Sequence, residues 1–164
     1  MNVGILGIDP GSHGGFSIVD LTGTMRHAYS FKNYTEYELV EFVKSLKETN
    51  DIMGWQTRAY IEQVHAMPRD GKVQAFSFGR NYGFWLGILT ALKIGYVEIP
   101  PANWQAALKM RVRGLEYRDK KRAIKIAAQK LYPELNLTLD TCDGVLIAEY
   151  GRRCIVAERK AVKG

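Results

Sequence analysis

The sequence has few cysteines and no long hydrophobic run among its 164 residues. Two cysteines, Cys142 and Cys154, are too few for a disulfide framework, which predicts a reduced protein. The longest apolar-rich stretch, residues 82–92, is shorter than the roughly 18 residues that a membrane span needs. No basic and then apolar leader precedes the first predicted strand. We therefore expect a cytoplasmic protein that makes no contact with a membrane.

Negative charge is also scarce. The 17 Asp and Glu residues are outnumbered by 23 Lys and Arg, which gives a formal net charge of +6. An excess of positive charge favours a polyanionic partner, and nucleic acid is the leading candidate. The composition is otherwise ordinary for a globular protein, with no repeat, low-complexity segment or linker. We predict one domain that covers residues 1–164.

The first 17 residues contain the most informative stretch, NVGILGIDPGSHGGFS. An apolar strand ends at Asp9, and Pro10 and Gly11 supply a turn directly after it. Residues 14–31 then predict two short strands joined by a turn at Thr22 and Gly23. A carboxylate at the end of a buried strand is costly, so Asp9 is a candidate for a functional role.

The rest of the chain predicts alternating helices and strands. Thr35 and Glu38 form a capping box before a helix that ends near Glu48, and residues 49–58 are a polar connector. The further elements are strands at residues 59–64 and 96–99 and helices at residues 74–92, 103–110 and 119–132, with a last helix from about Asp140. Such alternation predicts crossover connections and a partly parallel sheet.

Four acids lie in apolar surroundings, namely Asp9, Glu62, Asp140 and Asp143. Asp140 and Asp143 are three residues apart, so they share a face of the last predicted helix. If the four carboxylates converge, they repel one another, and Mg²⁺ or Mn²⁺ is the natural neutralising partner. That arrangement is typical of two-metal phosphodiester hydrolysis. The alternative is that the last two acids cap a helix and that Asp9 serves only its turn.

Four motifs resemble a known family. GIDPGS, YIEQVH, the helix GRNYGFWLGILTAL with YVEIPPANW after it, and DTCDGVLIAEYG occur in the order found in RuvC-type Holliday junction resolvases. Details are most similar to the phage and organellar branch of that family. The resemblance implies an α/β, ribonuclease-H-like fold with a mixed five-stranded sheet flanked by helices. It also implies a Mg²⁺-dependent endonuclease that resolves four-way DNA junctions by paired symmetric nicks.

By position, the resemblance assigns catalysis and the binding of two metal ions to Asp9, Glu62, Asp140 and Asp143. The sequence departs from the bacterial pattern at His65, where those members have a phenylalanine, and at Gly144, where a small alanine-like residue is usual. Candidate DNA-binding residues are His65, Arg111, Arg113, Arg118, Lys120, Lys121 and Arg122. The alternative for the basic residues is a solvated face, and for His65 a simple turn position.

Three glycines, Gly79, Gly83 and Gly87, recur every four residues in the long predicted helix. Each interior glycine costs about 1 kcal/mol relative to alanine, so the stripe indicates close packing. Symmetric cleavage of two strands needs two active sites related by a twofold axis, which favours a homodimer. The glycine face of this helix is the candidate interface. Packing of the stripe against the sheet of the same subunit is the alternative.

Two other function classes compete with a resolvase. A protein that binds branched DNA without cutting it would have the same charge, although four intact acids argue against it. The GIDPGS hairpin also occurs in actin-like ATPases and sugar kinases. Those proteins need duplicated domains and a second phosphate-binding loop, which do not fit in 164 residues.

Overall fold

The computed structural model describes residues 2–65, 71–110, 114 and 116–162, with only the backbone described at Arg26. The strands are β1 (Val3–Asp9), β2 (Gly15–Asp20), β3 (Met25–Ser30), β4 (Gln56–Glu62) and β5 (Gly95–Ile99). The α-helices are α1 (Glu36–Ile52), α2 (Lys72–Ala91), α3 (Pro101–Ala107), α4 (Tyr117–Leu131) and α5 (Cys142–Ala161), and a 3-10 turn covers Phe31–Asn33. Within these ranges, no helix is long and apolar enough to cross a membrane.

The five strands form one mixed sheet in the order β3-β2-β1-β4-β5. β1, β2 and β3 are antiparallel neighbours, whereas β4 and β5 run parallel to β1. The parallel strands need crossovers, and α1 and α2 provide them. The prediction of a mixed five-stranded sheet flanked by helices is confirmed.

Helices cover both faces of the sheet. Side chains alternate along β1, so that Val3 and Ile5 enter the core beneath α4 and α5, and Leu6 and Ile8 enter the core beneath α1 and α2. Because β1 is central and buried on both faces, its sequence is an apolar run rather than an alternating pattern. The first polar side chain that it carries is Asp9, at its last residue.

Helix α5 lies unusually close to the centre of the sheet. A Cβ atom added at Gly7 would lie 2.2 Å from the backbone nitrogen of Ala148, and one added at Gly144 would lie 2.8 Å from the carbonyl oxygen of Gly15. The buried Ser17 hydroxyl donates a hydrogen bond of 2.8 Å to the Gly144 carbonyl. Gly144 is therefore required for contact, and this contact fixes the start of α5 beside the end of β1.

Several predicted boundaries were wrong by a few residues. Helix α1 continues to Ile52, because the buried Asn50 side chain donates to Thr57 and ties the last turn to the sheet. The polar connector is correspondingly shorter, since β4 begins at Gln56. Helix α5 begins at Cys142, so Asp140 lies in the preceding turn rather than in the first turn of the helix. The capping box at the start of α1 is confirmed.

A buried carboxylate joins α4 to α5. Glu149 accepts hydrogen bonds from Tyr132 at 2.7 Å, from Arg152 at 2.7 and 2.9 Å, and from Arg153 at 2.7 Å. Burial alone would raise the pKa of Glu149, but these donors outweigh it and lower the pKa below its ordinary value of 4.5. Glu149 therefore stabilises the fold in its ionised form.

The substitution Glu149→Gln should lower the free energy of unfolding by about 2 kcal/mol at pH 7, because charge-assisted hydrogen bonds are lost. The contribution of a carboxylate with a lowered pKa is present above its ordinary pKa of 4.5 and is lost as the pH falls through the folded value. Urea unfolding should therefore show a large difference in the free energy of unfolding between variant and wild type at pH 7. The difference should be small at pH 3.5. The exposed Glu158, which pairs with Arg58 at 3.5 Å, is the control, and Glu158→Gln should cost about 0.5 kcal/mol or less. Equal costs for the two variants would contradict the role of Glu149.

Candidate active site

Two of the four candidate acids end neighbouring parallel strands. Ile8 of β1 pairs with Ile61 of β4, so the next residues, Asp9 and Glu62, lie side by side at the carboxyl end of the sheet. Ile8 and Ile61 both enter the core beneath α1 and α2, so alternation turns the two carboxylates to the opposite face. That face is the one covered by α4 and α5.

Helix α5 brings the third acid to the same place. Asp143 lies in its first turn and is buried, and its charge acts on both Asp9 and Glu62. Asp140 lies in the turn before the helix and also acts on Asp9. The structure thus brings Asp9, Glu62 and Asp143 together, with Asp140 at their edge.

Each strand-end acid accepts a hydrogen bond that fixes its direction. The backbone N–H of Gly11 donates to Asp9 at 3.0 Å, inside the turn that the sequence predicts. The indole N–H of Trp104, in α3, donates to Glu62 at 2.7 Å. Trp104 is fully buried, so it holds the Glu62 side chain against a rigid part of the core.

A lysine faces each of the other two acids. Lys121, in α4, forms an ion pair with Asp143, and its ammonium nitrogen lies 4.0 Å from a carboxylate oxygen of Asp9. Lys32 lies 2.9 Å from Asp140, which also accepts from the Ser30 hydroxyl at 3.4 Å. The cluster therefore contains two cations of its own.

Burial and mutual repulsion make the acids costly to ionise. Burial, and then the charge of Asp143, raise the pKa of Asp9 to about 6 although Lys121 opposes the shift. Burial and the charge of Asp9 raise the pKa of Glu62 to about 8 although the Trp104 hydrogen bond opposes it. Burial also disfavours the charged form of Lys121, but Asp143 and Asp9 outweigh it and raise the Lys121 pKa. A cation in the cluster relieves these costs.

The chemical type of the candidate ligands suits a hard divalent cation. All four acids offer carboxylate oxygens, which Mg²⁺ and Mn²⁺ prefer. Cys142 lies beside Asp143, and burial raises the pKa of its thiol to about 12, but Mg²⁺ and Mn²⁺ prefer oxygen to sulfur, so we assign it no role as a ligand. As the side chains stand, no group of three or more His, Cys, Asp or Glu residues in the described ranges is arranged to hold a metal ion. Each of the four carboxylates is instead directed at its own hydrogen-bond or ion-pair partner.

The predicted DNA-binding residues are only partly placed. Arg118 and Arg122 are exposed in the first two turns of α4, where Arg122 lies 3.5 Å from Asp119. Lys120 is half-buried beside them, and Lys121 points into the acid cluster instead of towards solvent. His65 is exposed shortly after β4. Arg111 and Arg113 lie outside the described residues.

Two residues of the site escaped sequence reasoning. Trp104 touches Glu62 and Lys32 touches Asp140, yet neither residue was among the candidates that the sequence indicated. Trp104 is a core residue, because its ring is buried. The contacts join residues 42 and 108 positions apart, so no local pattern could have revealed them.

Comparison of the fold with solved structures gives a clear result. A structure of Thermus thermophilus RuvC superposes with a TM-score of 0.62 at 16% identity, over 96% of this chain and 97% of that one. T. thermophilus RuvC in complex with a Holliday junction substrate gives 0.61 at 15% identity, over 95% and 96%. The chain has the fold of RuvC. That fold is ribonuclease-H-like, as the sequence motifs predicted.

Sequence comparisons add nothing to this likeness. No family model matches the chain. No curated protein matches it either. The likeness to RuvC is therefore one of fold.

The substitution Glu62→Gln should stabilise the metal-free protein, because a neutral amide removes a carboxylate that is costly to ionise and still accepts from Trp104. Folding raises the pKa of the Glu62 carboxyl group from 4.5 to about 8. The free energy of unfolding of the wild-type protein therefore falls as the pH increases between those values. Unfolding in the presence of EDTA should thus show a gain of about 2 kcal/mol at pH 8 and little gain at pH 5. The exposed Glu41→Gln is the control and should show no such pH dependence. If Glu62→Gln raised the free energy of unfolding equally at both pH values, the result would contradict the costly ionisation of Glu62.

Proposed function

We propose that this protein is a structure-selective endonuclease that resolves four-way DNA junctions by paired symmetric nicks. The observation that carries the proposal is the meeting of Asp9, Glu62 and Asp143 at the carboxyl end of β1 and β4, in a chain with the RuvC fold. The complex of T. thermophilus RuvC with a Holliday junction substrate supports branched DNA as the ligand. The costly ionisation of the acids argues against a purely architectural role, which would have no use for them.

Asp9, Glu62, Asp140 and Asp143 would hold two Mg²⁺ ions, for which Mn²⁺ can substitute. Bound there, the metals supply an activated water and stabilise the leaving 3′-oxygen of the cleaved phosphodiester. The raised pKa values of Asp9 and Glu62 support this assignment, because a buried group of like charges has a strong electrostatic need for cations.

The protein's own residues hold these ligands in place. The Gly11 N–H directs Asp9, and the Trp104 indole directs Glu62. The glycine contacts at Gly7 and Gly144 fix α5, and with it Asp143, against β1. The ligands thus come from rigid elements of the core, which suits a reaction that needs accurate positioning.

DNA would approach across the start of α4. Arg118, Lys120 and Arg122 lie in the same two turns as Lys121, which touches the acids. A backbone phosphate held by these cations would lie next to the candidate active site. Arg111 and Arg113 come shortly before α4 in the sequence, and His65 comes three residues after Glu62, and we propose DNA binding for these residues as well.

We further propose a homodimer that pairs through α2. A Cβ atom added at Gly79, Gly83 or Gly87 would meet no atom of the described residues within 4 Å, so the stripe does not pack against its own sheet. That contradicts the alternative explanation of the glycines. Phe76 belongs to the same exposed face and is itself 76% exposed, which supports a partner that covers it.

The reaction would take place in the cytoplasm of a bacterial or phage-infected cell, with an organellar origin as the alternative. The free thiols of Cys142 and Cys154 are compatible with a reducing compartment. The phage and organellar branch is the one that the sequence motifs resemble.

Junction cleavage tests the chemistry. Wild-type protein with Mg²⁺ should cut a four-way junction into two nicked duplexes, whereas Asp9→Asn and Asp143→Asn should bind the junction and fail to cut it. Binding should be unchanged or tighter, because negative charge near phosphate is removed. Mapping both product ends on gels shows whether the nicks are symmetric. Cleavage by the variants at the wild-type rate would refute the site assignment, and binding without cleavage by the wild type would favour the architectural alternative.

Sedimentation and circular dichroism test the assembly. Gly83→Leu should yield a folded monomer, because the new side chain obstructs the seam while leucine has the higher helix propensity. That monomer should no longer cut both strands of a junction in one encounter. Glu48→Leu places the same side chain on an exposed position of α1 and should remain dimeric. A Gly83→Leu protein that remains a folded dimer would contradict the α2 interface.

A further inference from the structure

The position of Lys121 is the unusual feature of the acid cluster. Its side chain extends from α4 into the cluster and is 19% exposed. The ammonium group pairs with Asp143 and lies 4.0 Å from Asp9. A basic segment that only attracted DNA would direct such a lysine towards solvent, as it does with Arg118 and Arg122.

An ammonium group and a divalent metal ion compete for the same carboxylate oxygens. One of the two carboxylate oxygens of Asp143 now accepts a hydrogen bond from Lys121, so a metal held by Asp9 and Asp143 would compete with the ammonium group for that carboxylate. The two cations also repel each other strongly at close range in a poorly hydrated site. A metal bound at these two acids would therefore favour the movement of Lys121 away from them.

We propose that Lys121 is a resident cation that competes with the metal for Asp9 and Asp143 and thereby weakens metal binding in the DNA-free protein. This inference rests on the metal site of the proposed function. Lys121 is a positioning residue in this role, because it acts through the acids. Its positive charge offsets part of the negative charge of the two acids, and its ion pair holds the Asp143 side chain in place before a metal arrives.

A DNA phosphate offers the displaced ammonium a new partner. The neighbouring cations of α4 would bring the phosphate close, and Lys121 could exchange a carboxylate for a phosphate oxygen at little cost. DNA binding then makes metal binding easier, and by thermodynamic reciprocity metal binding makes DNA binding easier. The protein would thus hold its metals firmly only when a substrate is present.

Lys32 has a similar but weaker relationship with Asp140. The pair is 2.9 Å apart, but the Lys32 side chain is 51% exposed and so is largely solvated. An exposed pair contributes little, so Lys32 should have much less influence on metal affinity than Lys121.

Calorimetric titration with Ca²⁺ or Mn²⁺ in the absence of DNA tests the competition. Lys121→Met should bind the metal more tightly than wild type by about 5-fold or more, within the usual range of coupling between two ligands. Lys120→Met is the matched control, because it makes the same charge change one residue earlier without an acid contact in the described structure. It should shift the affinity far less. Equal shifts in the two variants, or none in Lys121→Met, would overturn the proposal.

The same titration in the presence of a four-way junction tests the coupling. Ca²⁺ suits this measurement, because its loose coordination should support binding with little cleavage. The junction should raise metal affinity more in the wild type than in Lys121→Met, which has no lysine to displace. An equal increase in both proteins would mean that the DNA acts only as an extra ligand and would contradict the role of Lys121 in the coupling.

Nuclear magnetic resonance of lysine side chains gives a second readout on the wild-type protein. An ammonium group held in a buried ion pair exchanges slowly with water, so Lys121 should give a resolved ¹⁵N signal, assigned by its absence in Lys121→Met or Lys121→Arg. Metal should shift or remove this signal while leaving unchanged the signals of lysines that are paired away from the acid cluster, such as Lys44, which lies beside Glu41. A signal that persists at metal saturation would overturn the displacement. These measurements use no cleavage, so a protein that fails to cut junctions could still pass them.

Discussion

The close contact between α5 and the centre of the sheet is the constraint on which the candidate site depends. Gly7 and Gly144 remove the side chains that would keep the two backbones apart, and Ser17 adds a buried hydrogen bond to the Gly144 carbonyl. Asp143 follows directly from this contact, because it is the residue before Gly144. A larger residue at either glycine would move the first turn of α5, and with it one of the acids. The contacts that pack α5 against the sheet thus also determine the position of the Asp143 carboxylate.

The carboxylates form a site that is unfavourable in the absence of cations. Asp9, Glu62 and Asp143 lie close enough in a buried region to act on one another electrostatically, and the fold tolerates them because other groups hold each one. Trp104 holds Glu62, and Lys121 offsets part of the charge on the other two. Functional sites in proteins often retain such strain, since the same repulsion that lowers stability favours the binding of a cation.

Helices α4 and α2 cover opposite faces of the sheet and present different kinds of surface. Helix α4 carries cations on one side of the acids, and it is tied to α5 by the buried Glu149. Helix α2 lies on the opposite face of the sheet and presents open glycines and an exposed phenylalanine. The surfaces that we propose for DNA binding and for self-association therefore lie on opposite faces of the sheet, so neither would obstruct the other.

From the sequence by itself came the order of elements, a partly parallel sheet and, as candidates, the four acids; the mixed five-stranded sheet followed from the family resemblance. Apolar runs, turn residues and a capping box are local signals, so β1, the hairpin and α1 were predicted close to their observed places. Boundaries at Asn50 and Asp140 were missed, because a tertiary hydrogen bond extended α1 and the turn before α5 replaced its predicted first turn. Only the tertiary structure showed that Lys121 enters the cluster, that Trp104 holds Glu62 and that no described part of the chain packs against the α2 glycines. These are contacts between distant segments, or the lack of them, and their geometry is decided by packing rather than by any local pattern.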